Sequence, residues 1–375
     1  MQKIDKMDKN MQAVEVRKEE ELQFYHLTED FFRVTGMPAF EESGDYNRIS
    51  LKYQETLNKA NPYLTELGKC TAGGLVSFRS DTKRIVIRAK TATVHNMSNM
   101  TPIGQCGFDC YAGRAQAEML FVGATQFDIT KQEYQCELVK LATMEALNGK
   151  GELFEFQINF PLYSHVVSLE IGLDKGATIL PPEDFTRKGK LVFYGTSITQ
   201  GGCASRPGMA YTNIICRKLN LEQWNLGFSG NGLGEYEVAD MMAELSDPLA
   251  YVIDYEANAG ANGRLKETLR GFIERLRNRQ SNIPIVVVSR IPYVLDAFDP
   301  VIGEQRAELR RFQSETVEKL RNAGDKRIYF VDGRSLFPSS FDELTIDMVH
   351  PTDLGFYHMA DKLTPVLEGI LHESI

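Results

Sequence analysis

The chain has 375 residues, 43% of them hydrophobic and 25% charged. That is enough apolar material for two globular domains, and it excludes a disordered or fibrous chain. The formal net charge of -9 and pI of about 5.4 argue against a nucleic-acid partner, which needs a basic face.

No run approaches the roughly 18 apolar residues of a spanning helix, so no membrane partner is expected. The charged start "MQKIDKMDKN" lacks the apolar core of a leader peptide. Six cysteines (Cys70, Cys106, Cys110, Cys136, Cys203 and Cys216) are spread along the chain. Cys106 and Cys110 make a C-x3-C pair, but no second Cys/His pair completes a zinc site. Reduced thiols, a cytoplasmic location and no metal or organic cofactor are therefore expected. A secreted protein trimmed of its leader would have the same composition.

Residues 1–30 are charged and partly helical in pattern, and read as an appended segment of unknown role. Residues 31–183 carry strand signals. "LVSFRSDTKRIVIRAK" alternates around a polar turn at Ser80–Lys83, which predicts a hairpin. "FEFQINF" places Phe154, Phe156, Ile158 and Phe160 on one face, and "HVVSLEIGL" does the same for Val167, Leu169, Ile171 and Leu173. Several such runs between Gly, Pro and Asn turns predict an antiparallel β-sandwich. The stretch "KGATILPPEDFTRKGK", with Pro181-Pro182, marks a boundary.

Residues 184–375 alternate strand and helix. Strands are predicted at Lys190–Tyr194, Gln223–Gly227, Leu249–Tyr255, Ile283–Ser289 and Arg327–Val331. Helices are predicted at Gly208–Leu219, Tyr236–Leu245, Arg264–Arg279, Glu304–Arg321 and Leu354–Leu371. "IVVVS" is apolar without alternation, as a strand buried on both faces should be. The pattern predicts an α/β unit, a doubly wound parallel sheet covered by helices on both sides, with ligands beyond the carboxyl ends of the strands.

The first of these strands runs into Gly195-Thr196-Ser197. A phosphate loop is one reading, but G-x4-G-K needs a lysine and none follows Gly201. A dinucleotide fingerprint fails because Ser197 stands where the second glycine should be. A tight turn or helix cap would also use a serine. A nucleophilic serine needs a base and an acceptor that orients it. Of six histidines, His350 alone lies in a suitable place: "DMVHPTDLGF" follows the last strand and precedes the last helix. Asp347, three residues earlier, can fold back onto the imidazole. Charge developing on a substrate oxygen needs donors. The Ser197 and Gly230 N–H groups and the Asn258 amide lie on loops of the same edge.

The set of four loops resembles the SGNH (GDSL-type) hydrolase family. Its first block, normally Gly-Asp-Ser, stands as Gly195-Thr196-Ser197; its glycine block matches Gly230, its Asn block Asn258, and its Asp-x-x-His block Asp347 and His350. Thr196 and Ala259 depart from the Asp usual at those places. "GFDCY" (Gly107–Tyr111) is similar to the Gly-x-Asp-Leu-Tyr motif of a jelly-roll domain that precedes some SGNH hydrolases, with Cys110 in place of Leu. The resemblance implies a flavodoxin-like three-layer sheet and a Ser197/His350/Asp347 triad. It also implies an oxyanion hole from Ser197, Gly230 and Asn258, with no cofactor.

The activity expected is that of a serine esterase on short acyl esters, O-acetyl groups on carbohydrate above all. Its partner is a small-molecule or oligosaccharide ester. Tyr111 and Asp109 are candidate substrate contacts, weighed against a role in holding their own loop. An acyltransferase using the same residues, and a catalytically inactive carbohydrate-binding protein, are the alternatives.

Overall fold

A computed structural model describes residues 16, 19–93, 96–114, 118–140 and 152–373. The first half builds two antiparallel sheets. One has the order β1 (Leu22–His26), β9 (Val166–Asp174), β4 (Arg84–Thr91) and β7 (Glu133–Lys140). The other joins β10 (Ile179–Leu180), β3 (Leu75–Ser80), β8 (Phe154–Asn159), β5 (Asp109–Gly113) and β6 (Leu120–Ala124), and β2 (Arg33–Thr35) pairs with β3. Ile85, Ile87, Leu169 and Ile171 from the first sheet share an apolar cluster with Val76, Phe78, Phe156 and Ile158 from the second. The alternation read from the sequence is what supplies those facing rows.

Four expectations change. β1 pairs with β9 from Leu22↔Asp174 to His26↔Glu170, so the later part of segment 1–30 belongs to a sheet; residues 1–15, 17 and 18 lie outside the described residues. The expected hairpin is a corner, because β3 and β4 lie in different sheets. Its turn is closed by side chains: Ser80 Oγ accepts from Thr82 N at 3.0 Å, and Asp174 Oδ2 accepts from the N–H groups of Lys83 (2.8 Å) and Arg84 (3.1 Å). Val167 is 48% exposed while Val166 is buried, because a register shift between Lys90 and Thr91 reverses the phase at the start of β9. The polar face of β8 is also buried, with Glu155, Gln157 and Asn159 each under 9% exposed. That face looks onto the second half, where Asn213 Nδ2 donates to Asn159 Oδ1 at 3.4 Å.

The second half holds five parallel strands: β11 (Lys190–Gly195), β12 (Glu222–Gly227), β13 (Pro248–Asp254), β14 (Ile285–Val288) and β15 (Ile328–Val331). Their order is β12-β11-β13-β14-β15, the doubly wound order of flavodoxin-like sheets. Leu191 and Phe193 face one apolar cluster with helices Tyr211–Leu219 and Asp353–His372. Val192 and Tyr194 face another with helices Tyr236–Ala243, Arg264–Arg279 and Pro300–Asn322.

The two halves share this second cluster, since Ile49, Leu57 and Leu64 pack into it. Arg48, fully buried, donates to the carbonyls of Cys70 (2.6 Å), Asn225 (2.8 Å) and Gly227 (2.9 Å). No helix among the described residues is long and apolar enough to cross a membrane.

Candidate active site

β11 is an interior strand, with Gly195 opposite Gly227 on one side and Asp254 on the other. A Cβ at Gly195 would run into the Asp254 carbonyl and the Thr199 side chain, so glycine lets the chain turn tightly here. Thr196, the departure from the family motif, caps the short helix Ser197–Gln200 through its hydroxyl, which accepts from Ile198 N at 3.3 Å. Ser197 thus becomes the first helical residue. Among the described residues its N–H has no partner, as expected in a first turn.

His350 comes from the loop between β15 and the last helix. The loop is pinched by a Thr345↔Pro351 bridge and by Ile346 N donating to His350 O at 2.9 Å. Met348 sits at φ 67°, which turns the chain so that Asp347 Oδ1 accepts from the backbone N–H groups of Val349 (3.2 Å) and His350 (2.8 Å). The other carboxylate oxygen meets His350 Nδ1 at 2.8 Å, and His350 Nε2 meets Ser197 Oγ at 2.9 Å. Burial pushes the Asp347 carboxyl up, but the backbone and imidazole of His350 and the Asn99 amide outweigh it and hold the group below its ordinary value. An ionised carboxylate only accepts, so it assigns the proton to Nδ1 and leaves Nε2 to accept from the Ser197 hydroxyl. Chemically, this line can move a proton off Ser197 Oγ.

The loops that carry the other predicted donors are joined to that of Ser197. Phe228 N donates to Gly195 O at 3.0 Å, and Gly232 N to Asn258 Oδ1 at 3.2 Å, so the loops after β11, β12 and β13 are tied together. The second bond fixes the Asn258 amide, whose NH2 has no partner among the described residues. Gly230, at φ 70° and exposed, has an N–H with no partner among the described residues.

Asp109 and Tyr111 are placed differently. They are 0% and 4% exposed, and their polar atoms serve the segment Arg206–Gly208. Asp109 Oδ2 accepts from Arg206 Nη1 (2.7 Å) and Gly208 N (2.9 Å), and Tyr111 Oη accepts from the same Arg206 nitrogen at 2.6 Å. Arg217 covers the Tyr111 ring at 3.7 Å. Burial holds the Asp109 carboxyl above its ordinary value even against Arg206. Both residues form a buried strut between the halves, with their polar atoms engaged by Arg206, Gly208 and Asn159.

Residues the sequence did not single out also gather here. Asn99, from the first half, donates through Nδ2 to Asp347 Oδ2 at 2.8 Å. Gln200 donates to Leu162 O (3.0 Å) and accepts from Ser229 N (3.0 Å). Cys203 Sγ lies within 4.8 Å of ligand atoms of Asp347 and His350. Burial, with the Asp347 charge adding, pushes that thiol up to about 12, so it is a poor metal ligand at neutral pH. No signal marks Asn99 in "NMSNMTP"; only tertiary packing brings it to Asp347. A cleft of about 570 Å³ opens beside this point, lined by Asn99, Met100, Cys203, Ser205, Ile346 and Leu354 among others.

Comparison with known proteins bears on the family and the fold. Residues 188–368 match the GDSL-like lipase/acylhydrolase family, and residues 22–179 match the N-terminal region of SGNH-hydrolase-type esterases. The chain belongs to the SGNH (GDSL-type) hydrolase family, with a GxDLY-type N-terminal region. No curated protein sequence matches it.

Among solved structures it is similar to a GDSL-like lipase from Bacteroides ovatus, with 28% identity, 94% of this chain and 98% of that one covered, and a TM-score of 0.82. The salicylyl-acyltransferase SsfX3 of a tetracycline biosynthetic pathway shares the fold at 17% identity, with 95% and 98% coverage and a TM-score of 0.75. An acetyl xylan esterase from the rumen bacterium Butyrivibrio proteoclasticus does so at 13% identity, with 93% and 99% coverage and a TM-score of 0.52. Family and neighbours together support hydrolase or esterase activity.

Proposed function

We propose that the protein is a serine esterase that removes short acyl groups, acetyl above all, from carbohydrate. The observation that carries this reading is the line Ser197 Oγ–His350 Nε2 at 2.9 Å and His350 Nδ1–Asp347 Oδ2 at 2.8 Å. Ser197 Oγ attacks the ester carbonyl carbon while His350 Nε2 takes its proton, and Asp347 steadies the imidazolium. The oxyanion is held by the N–H groups of Ser197 and Gly230 and by the Asn258 amide. The imidazolium then protonates the leaving alcohol, and water, deprotonated by His350, releases the acid from Ser197.

Two features favour a small acyl group on a polar alcohol. Ser197 is only 7% exposed, which suits a short chain. A neighbour of the same fold carries the name acetyl xylan esterase. On this reading the first half, from β1 to about residue 183, is a jelly-roll domain that buttresses a catalytic domain of residues 184–375.

The fold shared with an acyltransferase favours one second reading, transfer of the acyl group to an alcohol other than water. A panel of acetyl, butyryl and octanoyl esters and acetylated sugars, each with and without an acceptor alcohol, tests both. Free acetate from acetylated sugars supports hydrolysis. New ester formed in preference to acid supports transfer, and turnover of none of these esters contradicts both.

A further inference from the structure

We infer that Asn99 is a positioning residue for the reaction: the first half of the chain completes the hydrogen-bond shell of Asp347 and so sets the orientation and basicity of His350. The inference rests on the esterase reading above and adds a residue and a role for the first domain that the family motifs do not contain.

Among the described residues Asp347 accepts four hydrogen bonds. Three come from its own loop: Val349 N, His350 N and His350 Nδ1. The fourth, from Asn99 Nδ2 at 2.8 Å, crosses from the other half and lands on Oδ2, the oxygen that also meets the imidazole. A donor on that oxygen draws electron density away from the imidazole contact and fixes the carboxylate plane.

The loop that carries Asn99 is held independently of it. Gln105, 1% exposed, accepts from Met97 N at 2.8 Å and donates to Met97 O (3.2 Å) and Met100 O (2.6 Å). Thr101 caps the helix Pro102–Cys106, and its hydroxyl also donates to Ser205 O. A Cβ at Gly104 would strike the Ala204 carbonyl, so this helix lies directly on the loop that follows the nucleophile helix. Asn99 is therefore delivered by a clamp built from Gln105, Thr101 and Gly104, on the wall of the 570 Å³ cleft. The titratable groups in that wall are Cys203 and Asp353, and Asp353 accepts from Ser205 N at 2.8 Å.

The test uses the full-length chain carrying Asn99→Ala, Asn99→Asp or, as a control, Ser197→Ala, with a chromogenic acetate as substrate. Because Asn99 is half-buried and its loop is held by Gln105, the Asn99 variants should melt within a few degrees of the parent. The expected result is a loss in kcat of about 10- to 100-fold in both Asn99 variants with KM nearly unchanged. In Asn99→Asp a second carboxylate beside Asp347 favours the protonated imidazole. The acid limb of kcat/KM should then move to higher pH, by about half a unit to one unit.

A kcat within threefold of the parent in both variants overturns the inference. So does a loss confined to KM or melting temperature with the acid limb unmoved. If instead Ser197→Ala keeps its activity, the esterase reading falls and this inference falls with it. Silent Asn99 variants beside a dead Ser197→Ala refute the inference alone.

Discussion

Asp347→Asn is the sharpest perturbation of the proposed mechanism, because it changes one atom and nothing in size. The carboxylate takes two backbone N–H groups on Oδ1 and the His350 and Asn99 nitrogens on Oδ2. A carboxamide has one oxygen, so it can serve only one pair. If the oxygen stays with the backbone donors, the new NH2 faces His350 Nδ1. The imidazole must then carry its proton on Nε2, where it cannot accept from Ser197. If the amide flips, the NH2 meets two backbone donors and the turn at Met348 loses its anchor. Either way the base is in the wrong tautomer or the wrong place. We expect kcat to fall by about 10³–10⁴-fold, which corresponds to about 4–5.5 kcal/mol of barrier.

The Asp347 carboxyl is held below its ordinary value, so its contribution to stability is present above the unfolded pKa, about 3.9, and is lost as pH falls below it. At neutral pH the variant should therefore melt slightly below the parent, and the gap should close in acid. The assay is steady-state release of nitrophenol from its acetate ester at neutral pH, corrected for spontaneous hydrolysis. A loss of less than tenfold in a folded variant would refute the tautomer argument.

Further consequences follow from the same geometry. Asn258→Ala should lower kcat by about 10²–10³ with little change in KM, and a pure KM effect would make it a substrate contact instead. Arg206→Met removes the partner of buried Asp109 and should cost about 3–5 kcal/mol of stability. Chemical denaturation checks this, and adding Asp109→Asn should recover part of the loss. Asp254 is raised to about 7 by burial first and by the Glu256 charge second. The native state then holds an extra proton between about pH 4 and pH 7, so stability falls as pH rises through that window. Asp254→Asn should flatten this slope, and an unchanged difference in melting temperature between pH 5 and pH 8 would contradict it.

The second half was nearly transparent in the sequence because a buried parallel strand and an amphipathic helix leave opposite local patterns. The strand expected at Lys190–Tyr194 extends by one residue, to Gly195, and the helix expected at Arg264–Arg279 has those limits. The helix expected from Gly208 starts at Tyr211, because Pro207–Met209 forms a tighter turn first. Ser197 was legible because it directly follows β11, and Asp347 and His350 because their three-residue spacing falls in the loop before the last helix.

What escaped was tertiary. The turn at Ser80–Lys83 has the length of a hairpin, and only the pairing of β4 with β9 and β7 makes it a corner. Polar residues of β8 look solvent-facing in one dimension, yet Asn159 is held between Asp109 and Asn213. Asp109 and Tyr111 drew attention as a motif, but nothing local showed that a half-buried Arg206 binds both. Asn99 carries no local signal at all, since its importance comes from a carboxylate 248 residues away.

The central claim is that Ser197 is the nucleophile. Labelling of the intact protein with a fluorophosphonate, followed by peptide mapping, tests it most directly. The account predicts one adduct, on the peptide containing Ser197, abolished by Ser197→Ala and strongly slowed by His350→Ala. An adduct on another residue, or labelling that survives Ser197→Ala, would contradict it.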